Sequence, residues 1–582
     1  MNLIQLATIS EIKENEIFEV HINNEAVILV KNKGSIKAYK GLCPHKGAHL
    51  GQGEIIDNYI VCPMHGKRFS CNSGKEEKSS LCLQEYQIKI ENDFILLDEN
   101  QLLEKHGAKI NLPLKEIKDL PMPKGKFISG NFSDFKKENK HQIIENWATE
   151  VGELFKINLM GKVFLVSANA DFNAQVLKER PLKFRRFSKI KEIMEEMGIY
   201  GAFSAEGDQW KQHRKITAEA LSLKNVKAYF PAINKMTERL LRRWNHLADG
   251  KKVIDIQQEM MLYTVDITTF IAFGYDTNTL ESDGDVIQNH LKKIFPMLNE
   301  RMVAILPLWR YYKTKKIKEF DIALSETKNT IDKIIQSTKK RFNEQPELKE
   351  NPSNFLEALL IEQERDPSFT DKDVFGNVFT MLLAGEDTTS NTISWTMYYL
   401  AQYPEVIQKI RDEADLVLDN EKLPSTSEQL DALKYTEAVA LEALRINPTT
   451  PILIMQPNED VVIQNLNIPK NTTIILQNKV AQTKADYFFD PNKFIPERWM
   501  AKGCPVHANH NPDVMHVFGG GSRYCPGKNL AIHEMKMALA TICKNFDFEL
   551  AIKPEEIKEI FSFTMYPENL KMKIKVRELI LN

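Results

Sequence analysis

Up to about Asp98 the apolar positions alternate with polar ones or run in short β-branched stretches: HINNEAVILV, SIKAYKG, EIIDNYIVC and QIKIENDFILLD, with Gly, Asn and Asp between them. A period of two broken by turn residues predicts strands, and together they predict a small antiparallel all-β domain over residues 1–98. From Glu99 to Gly125 the periodicity lapses, and Pro113, Pro121 and Pro123 intervene. Residues 99–125 therefore read as a linker, which at ~3.3 Å per residue sets little limit on how its two sides dock. Beyond it the period becomes helical, in INKMTERLLRRWNHLA, DVFGNVFTMLLAGEDTTSNTISWTMYYLAQ and EQLDALKYTEAVALEALRIN. A β-rich patch at 452–477 interrupts the helices and no repeat is visible. Residues 126–582 thus predict one large, mainly α domain with minor β-sheets.

The length agrees with that division, since 582 residues exceed what one core usually serves. A formal net charge of −2 gives no field that would draw the molecule to nucleic acid. Basic runs such as KTKKIK at 313–318 read as solvated helix faces. No stretch offers the ~20 apolar residues of a membrane span, and the Glu- and Lys-studded N-terminus lacks a signal-peptide pattern. Seven scattered cysteines do not make a disulfide framework. The expectation is a cytoplasmic protein with no transmembrane anchor, whose only membrane contact would be peripheral.

Two loops in the first part carry metal-binding chemistry. CPHKGAHL at 43–50 and CPMHGKRF at 62–69 give Cys43-x-His45, then sixteen residues, then Cys62-x-x-His65. Two Cys and two His on Gly- and Pro-shaped loops hold either zinc or an iron–sulfur cluster, and the residue types alone leave both open. His49 falls off this pattern and reads as a neighbour of the site or a surface residue. Cys71 and Cys82 read as small buried hydrophobes.

The second part carries a lone cysteine in FGGGSRYCPG at 518–527, just before the helical LAIHEMKMALATICKNF. There the helix dipole and Arg523 favour a thiolate at Cys525, and the glycines let the backbone approach a flat cofactor. In EALR, Glu442 and Arg445 lie one helical turn apart and can form a buried ion pair, with Arg498 of FIPERW as a third partner. LLAGEDTTS at 382–390 sets Asp387 and Thr388 inside an apolar helix. A mid-helix Thr388 hydroxyl can bond the Ala384 carbonyl and bend the helix, with Gly385 permitting the distortion. Glu386 faces another way, because adjacent helical residues diverge by ~100°. No Asp/Glu-x-x-His-x₄-His follows residue 100, which excludes the mononuclear iron of ring-hydroxylating oxygenases. No G-x-G-x-x-G follows a strand, so the chain shows no nicotinamide or flavin fingerprint.

Residues 1–98 resemble the Rieske [2Fe-2S] domain, in which the two Cys bind one iron and the two His the other, here Cys43, Cys62, His45 and His65. High-potential members add a disulfide across the loops and a Ser that bonds cluster sulfur. Gly47, Ala48, Met64 and Lys67 stand in that neighbourhood instead. The resemblance therefore implies a ferredoxin-type cluster at the low end of the range, on the order of −150 mV.

Residues 126–582 resemble the cytochrome P-450 superfamily of heme-thiolate monooxygenases. That resemblance implies heme b with Cys525 as axial ligand, and propionate contacts from Arg523 and from Trp210 and Arg214 of GDQWKQHRK at 207–215. Asp387 and Thr388 match the acid–alcohol pair that delivers protons to dioxygen, while Glu442, Arg445 and Arg498 are structural. The strand after Glu442-x-x-Arg445 reads PILIMQPNED and offers no propionate Arg.

Together the halves imply a monooxygenase with its own ferredoxin. Its partners would be O₂, an external NAD(P)H-dependent flavoprotein reductase, and a hydrophobic, lipid-like substrate to be hydroxylated or epoxidised. The alternatives are a heme-thiolate redox sensor or electron-transfer protein, or a peroxide-driven enzyme with a regulatory Rieske domain. The apolar, aromatic stretch IFPMLNERMVAILPLWRYY at 294–312 reads as a substrate entrance, as core, or as a membrane-touching surface.

Overall fold

The run AVILV within Glu25–Asn32 is apolar at every position, which suits a strand covered on both faces. In the computed structural model this strand sits inside a four-stranded sheet, ordered Ile17–Ile22, Glu25–Asn32, Ser35–Lys40, Glu85–Tyr86, with antiparallel pairs throughout. The structure describes residues 3–22, 25–44, 49–63, 66–77, 81–98, 101, 113–135, 137–282, 286–304, 306–350, 352–500 and 510–578. Successive residues of the apolar run feed two different cores. Ile28 and Val30 pack with Tyr39, Leu50 and Phe69, and Val27 and Leu29 pack with Leu6, Ile95 and Leu97. Each such fully buried side chain contributes about 1.5–3 kcal/mol. The first of these cores lies under the two cysteine loops, since Cys43 and Cys62 belong to it. A second, three-stranded sheet (Glu54–Ile56, Tyr59–Val61, Arg68–Ser70) turns at Asp57–Asn58, whose φ values of 50° and 67° favour such short polar residues.

Part of the expected linker is fastened to the second domain. Lys115–Glu116 pairs in parallel with Leu466–Asn467, Leu120 is buried with Leu165, Phe172 and Leu476, and the Lys156 N–H donates to the Pro121 carbonyl. One buried leucine and a few backbone bonds leave no periodicity for the sequence to display.

The second domain is mainly helical with small sheets. The β-rich patch supplies two central strands of a five-stranded sheet, ordered Leu154–Leu159, Lys162–Ser167, Ile474–Gln477, Ile452–Pro457, Phe184–Arg186. The helix Asp371–Leu400 runs for 30 residues, buried along most of its length. It crosses the helix Ile256–Phe273 at Gly385, where a Cβ would come within 2.9 Å of the Thr268 side chain. Only glycine admits that approach. The 294–312 stretch divides: Ile294, Met297 and Leu298 are core, whereas Leu306, Leu308, Tyr311 and Tyr312 are exposed. Among the described residues no helix is long and apolar enough to cross a membrane.

Candidate active site

The Cys525 loop is shaped by backbone that only glycine takes easily. Gly519 and Gly521 have φ of +77° and +61°, and at Gly521 a Cβ would meet the Leu177 carbonyl oxygen at 2.3 Å. The Cys525 N–H closes the loop by donating to the Phe518 carbonyl at 2.7 Å, and the helix Lys528–Asn545 follows. The cysteine lies on the wall of an internal cavity of about 710 Å³. Burial pushes the Cys525 thiol up, opposed by the Gly527 and Lys528 N–H groups and by the charges of Arg214 and Lys528. The cations acting on the sulfur are thus these two and not Arg523, as the sequence suggested. Arg523 pairs with Glu206, donates to the Ala205 carbonyl at 2.9 Å and lies 4.5 Å from the Trp210 ring centre.

Arg180, Arg186, Arg214 and Arg523 all line this cavity. Buried nitrogens on each lack a partner: Nε and Nη2 of Arg180 and Arg214, and Nε of Arg186 and Arg523. Burial holds the Arg180 guanidinium well below its usual range, and the neighbouring Arg186 and Arg523 add to the effect, with Glu206 opposing. Buried cations this poorly matched require anions. A flat, largely apolar cofactor bearing two carboxylates fits the cavity and its cationic edge. Trp210 and Arg214 reach the same wall from the helix Gly207–Ala220. Arg180 and Arg186 were not anticipated, although the basic run KERPLKFRR at 178–186 was a legible signal.

Ala384, Gly385 and Thr388 line the cavity as well. The Thr388 hydroxyl donates to the Ala384 carbonyl at 2.7 Å, yet the helix runs unbroken from Asp371 to Leu400. Thr264 of the crossing helix donates to the Glu386 carbonyl at 3.1 Å. Asp387 accepts from the Thr564 hydroxyl at 3.2 Å, and Asn391 Nδ2 in turn donates to Thr564 at 3.0 Å. Burial pushes the Asp387 carboxyl up to about 6 against the opposing Thr564 bond. Nothing in the sequence pointed to Thr564.

Glu442, Arg445 and Arg498 come together with no side-chain exposure. The Arg445 Nε and Nη2 donate to Glu442 at 2.9 and 2.8 Å, and the Arg498 Nε donates to it at 3.0 Å. Trp499 Nε1 adds a fourth bond at 2.9 Å. Arg445 also ties in the Gln482 and Pro491 carbonyls, both at 2.7 Å.

In the first domain Cys43 and Cys62 are both buried. The Cys62 N–H donates to Lys67 at 2.8 Å and its carbonyl accepts from Gly66 at 3.0 Å, making a tight turn. His45 and His65 lie outside the described residues. Cys71 is buried as expected, but Cys82 is exposed, its thiol directed to the Ser73 and Leu83 carbonyls at 3.5 Å. His49 sits 2.7 Å from the Glu19 carboxylate. Beside Cys525, the Tyr524 hydroxyl donates to the Pro63 carbonyl at 3.2 Å, and its ring packs on the core that holds Cys43 and Cys62. The Cys62 loop and the Cys525 loop therefore touch.

Comparison with known families agrees with this geometry. The family described as Cytochrome P-450 matches residues 120–574, and the Rieske [2Fe-2S] domain matches residues 2–86. Similar proteins include "Protein LUTEIN DEFICIENT 5, chloroplastic" of Arabidopsis thaliana, 28% identical over 448 residues that cover 73% of this chain and 72% of that one. Cytochrome P-450 97B2, chloroplastic, of Glycine max is 25% identical over 469 residues, covering 73% and 81%. A self-sufficient cytochrome P-450 monooxygenase of Phanerodontia chrysosporium is 24% identical over 472 residues, covering 79% and 43%. The chain belongs to the cytochrome P-450 family and is a heme-thiolate monooxygenase that carries a Rieske [2Fe-2S] domain ahead of its heme domain.

Proposed function

We propose that the Rieske domain takes single electrons from a separate NAD(P)H-dependent flavoprotein reductase and relays them within the chain to the heme, and that the enzyme hydroxylates or epoxidises a hydrophobic, lipid-like substrate. The contact of the Cys62 and Cys525 loops, Tyr524 on Pro63, is the observation that carries the relay. The absence of a dinucleotide fingerprint in these residues supports a separate reductase. In the test, Cys43→Ser drops reductase-driven turnover to background while the carbon monoxide spectrum of the dithionite-reduced protein persists. Turnover at the parent rate with NADH and reductase would mean that the relay is wrong.

Heme, when bound, supplies the activation of O₂ from which one oxygen atom is inserted. Cys525 would hold its iron through sulfur. Arg214 and Arg523, joined by Arg180 and Arg186, would neutralise its propionates, and Trp210 would help orient them. The Thr388 hydroxyl donates its hydrogen bond to the Ala384 carbonyl, so its oxygen can accept one from a water in the cavity. Asp387, with its carboxyl near 6, both takes and releases a proton close to neutral pH, as a proton-delivery group must. A sensor or a peroxide-driven enzyme would have less need of proton delivery, which favours the oxygenase reading.

Asp387→Asn should slow oxygenation by about 10²-fold with the heme spectrum kept, and should erase the limb of the pH–rate profile near 6. Its stability carries a sign of its own. The folded-state value of Asp387 is raised, so the wild type loses stability as pH rises from the ordinary carboxylate range through about 6. At pH 4 the two proteins should unfold alike. At pH 7 the Asn variant should be the more stable, by up to about 3 kcal/mol in denaturant unfolding.

Phe187, Ile190, Met194 and Phe203 give the cavity an apolar lining. Met302 and Ala304 reach it just ahead of the exposed Leu306, Leu308, Tyr311 and Tyr312. This supports entry of an apolar substrate from that side, with peripheral contact to a lipid surface. Titrating fatty acids, terpenoids and steroids for a spin-state change at the heme tests the substrate class; a preference for small ionic compounds would count against it.

A further inference from the structure

Tyr524 is held at its base by the heme domain and spends its far end on the other domain. Its carbonyl accepts from Arg214 Nη1 at 2.8 Å, and the Arg214 guanidinium lies 4.6 Å from its ring centre. Those two contacts fix the direction of the ring. From there the side chain packs against the core of Cys43, Leu50 and Cys62, and its hydroxyl donates to the Pro63 carbonyl.

The chain positions are telling. Pro63 follows Cys62, and Tyr524 precedes Cys525. One peptide unit, one hydrogen bond, one aromatic side chain and one further peptide unit link the two cysteines. The ring packs against the core of the neighbouring domain instead of staying on the surface of its own.

We propose that Tyr524 is the latch that seats the Rieske domain on the heme domain, holding Pro63 and with it Cys62 against the Cys525 loop, so that the docked arrangement is the standing one and not a passing encounter. The proposal deepens the relay and rests on that reading for its purpose. The latch itself is a positioning device. With both groups bound, the cluster would supply single electrons and the heme would receive them, while the bonds of Tyr524 itself stay as they are.

The experiment uses the purified holoenzyme with Tyr524→Phe and Tyr524→Ala. Amide hydrogen exchange is followed in peptides covering Tyr59–Val61 and Arg68–Ser70, and heme reduction is timed after photoreduction of the cluster. Losing a hydrogen bond and its packing should speed exchange there by about tenfold in Tyr524→Ala and about threefold in Tyr524→Phe. Exchange in the sheet around Glu25–Asn32 should stay unchanged. Exchange equal to wild type in both variants overturns the latch. If the alanine variant does not retain heme, the phenylalanine variant decides alone. Exchange judges the latch, whereas heme reduction together with Cys43→Ser judges the relay, so the two can fail separately.

Discussion

Replacing Cys525 with alanine should abolish the red-shifted Soret band of the reduced, carbon monoxide-treated protein and bring oxygenation to background. The fold should survive, because the bond from the residue 525 N–H to the Phe518 carbonyl does not need the side chain. The glycine conformations at 519 and 521 and the helix Lys528–Asn545 are likewise indifferent to the sulfur. What goes is the one thiol of the loop, which burial keeps protonated until a cation replaces the proton. Cys543 cannot stand in, since it is fully buried in the main core near the far end of the helix Lys528–Asn545. Far-ultraviolet circular dichroism and the carbon monoxide difference spectrum check both halves of the expectation. A variant that kept the shifted band would move the ligand elsewhere.

Glu442→Ala should be the most destabilising single change away from the cavity. It leaves the Arg445 and Arg498 guanidiniums facing each other in a dry site and strands the Trp499 N–H. Breaking a buried pair from one side costs about 3–5 kcal/mol, against a typical total of ~5–15 kcal/mol. The expected outcome is a markedly lower denaturation midpoint and poor heme retention. Glu442→Gln, which keeps the acceptor oxygen but not the charge, should lose less. An unchanged midpoint in Glu442→Ala would show that the cluster is dispensable.

The sequence exposed those parts of the site whose chemistry is local. Thr388 and Ala384 are four apart and Glu442 and Arg445 three apart, so helix geometry alone brings each pair together. The glycines around Cys525 are equally compact, as is the Cys–His spacing in the sequence, whose His45 and His65 lie outside the described residues. Contacts that only the tertiary fold creates were hidden. Thr564 reaches Asp387 across 177 residues, and Tyr524 reaches Pro63 across 461. Arg180 and Arg186 stood in plain view as a basic run, but their burial beside the cavity did not. Cys82 misled because its residue type is usually buried, whereas here it lies exposed at an isolated bridge to Lys75. The Lys115–Pro121 segment misled because its prolines suggest a free tether, whereas its backbone is paired.

The covered side of the Cys525 loop also bears on how the enzyme lives among other redox proteins. A diffusing carrier meets a surface already taken by a tenant that covalent linkage never lets stray far. On the relay proposed above, the oxygenase would be insulated from competing donors, and its ratio of donor to acceptor would be fixed at one to one however much of either the cell makes.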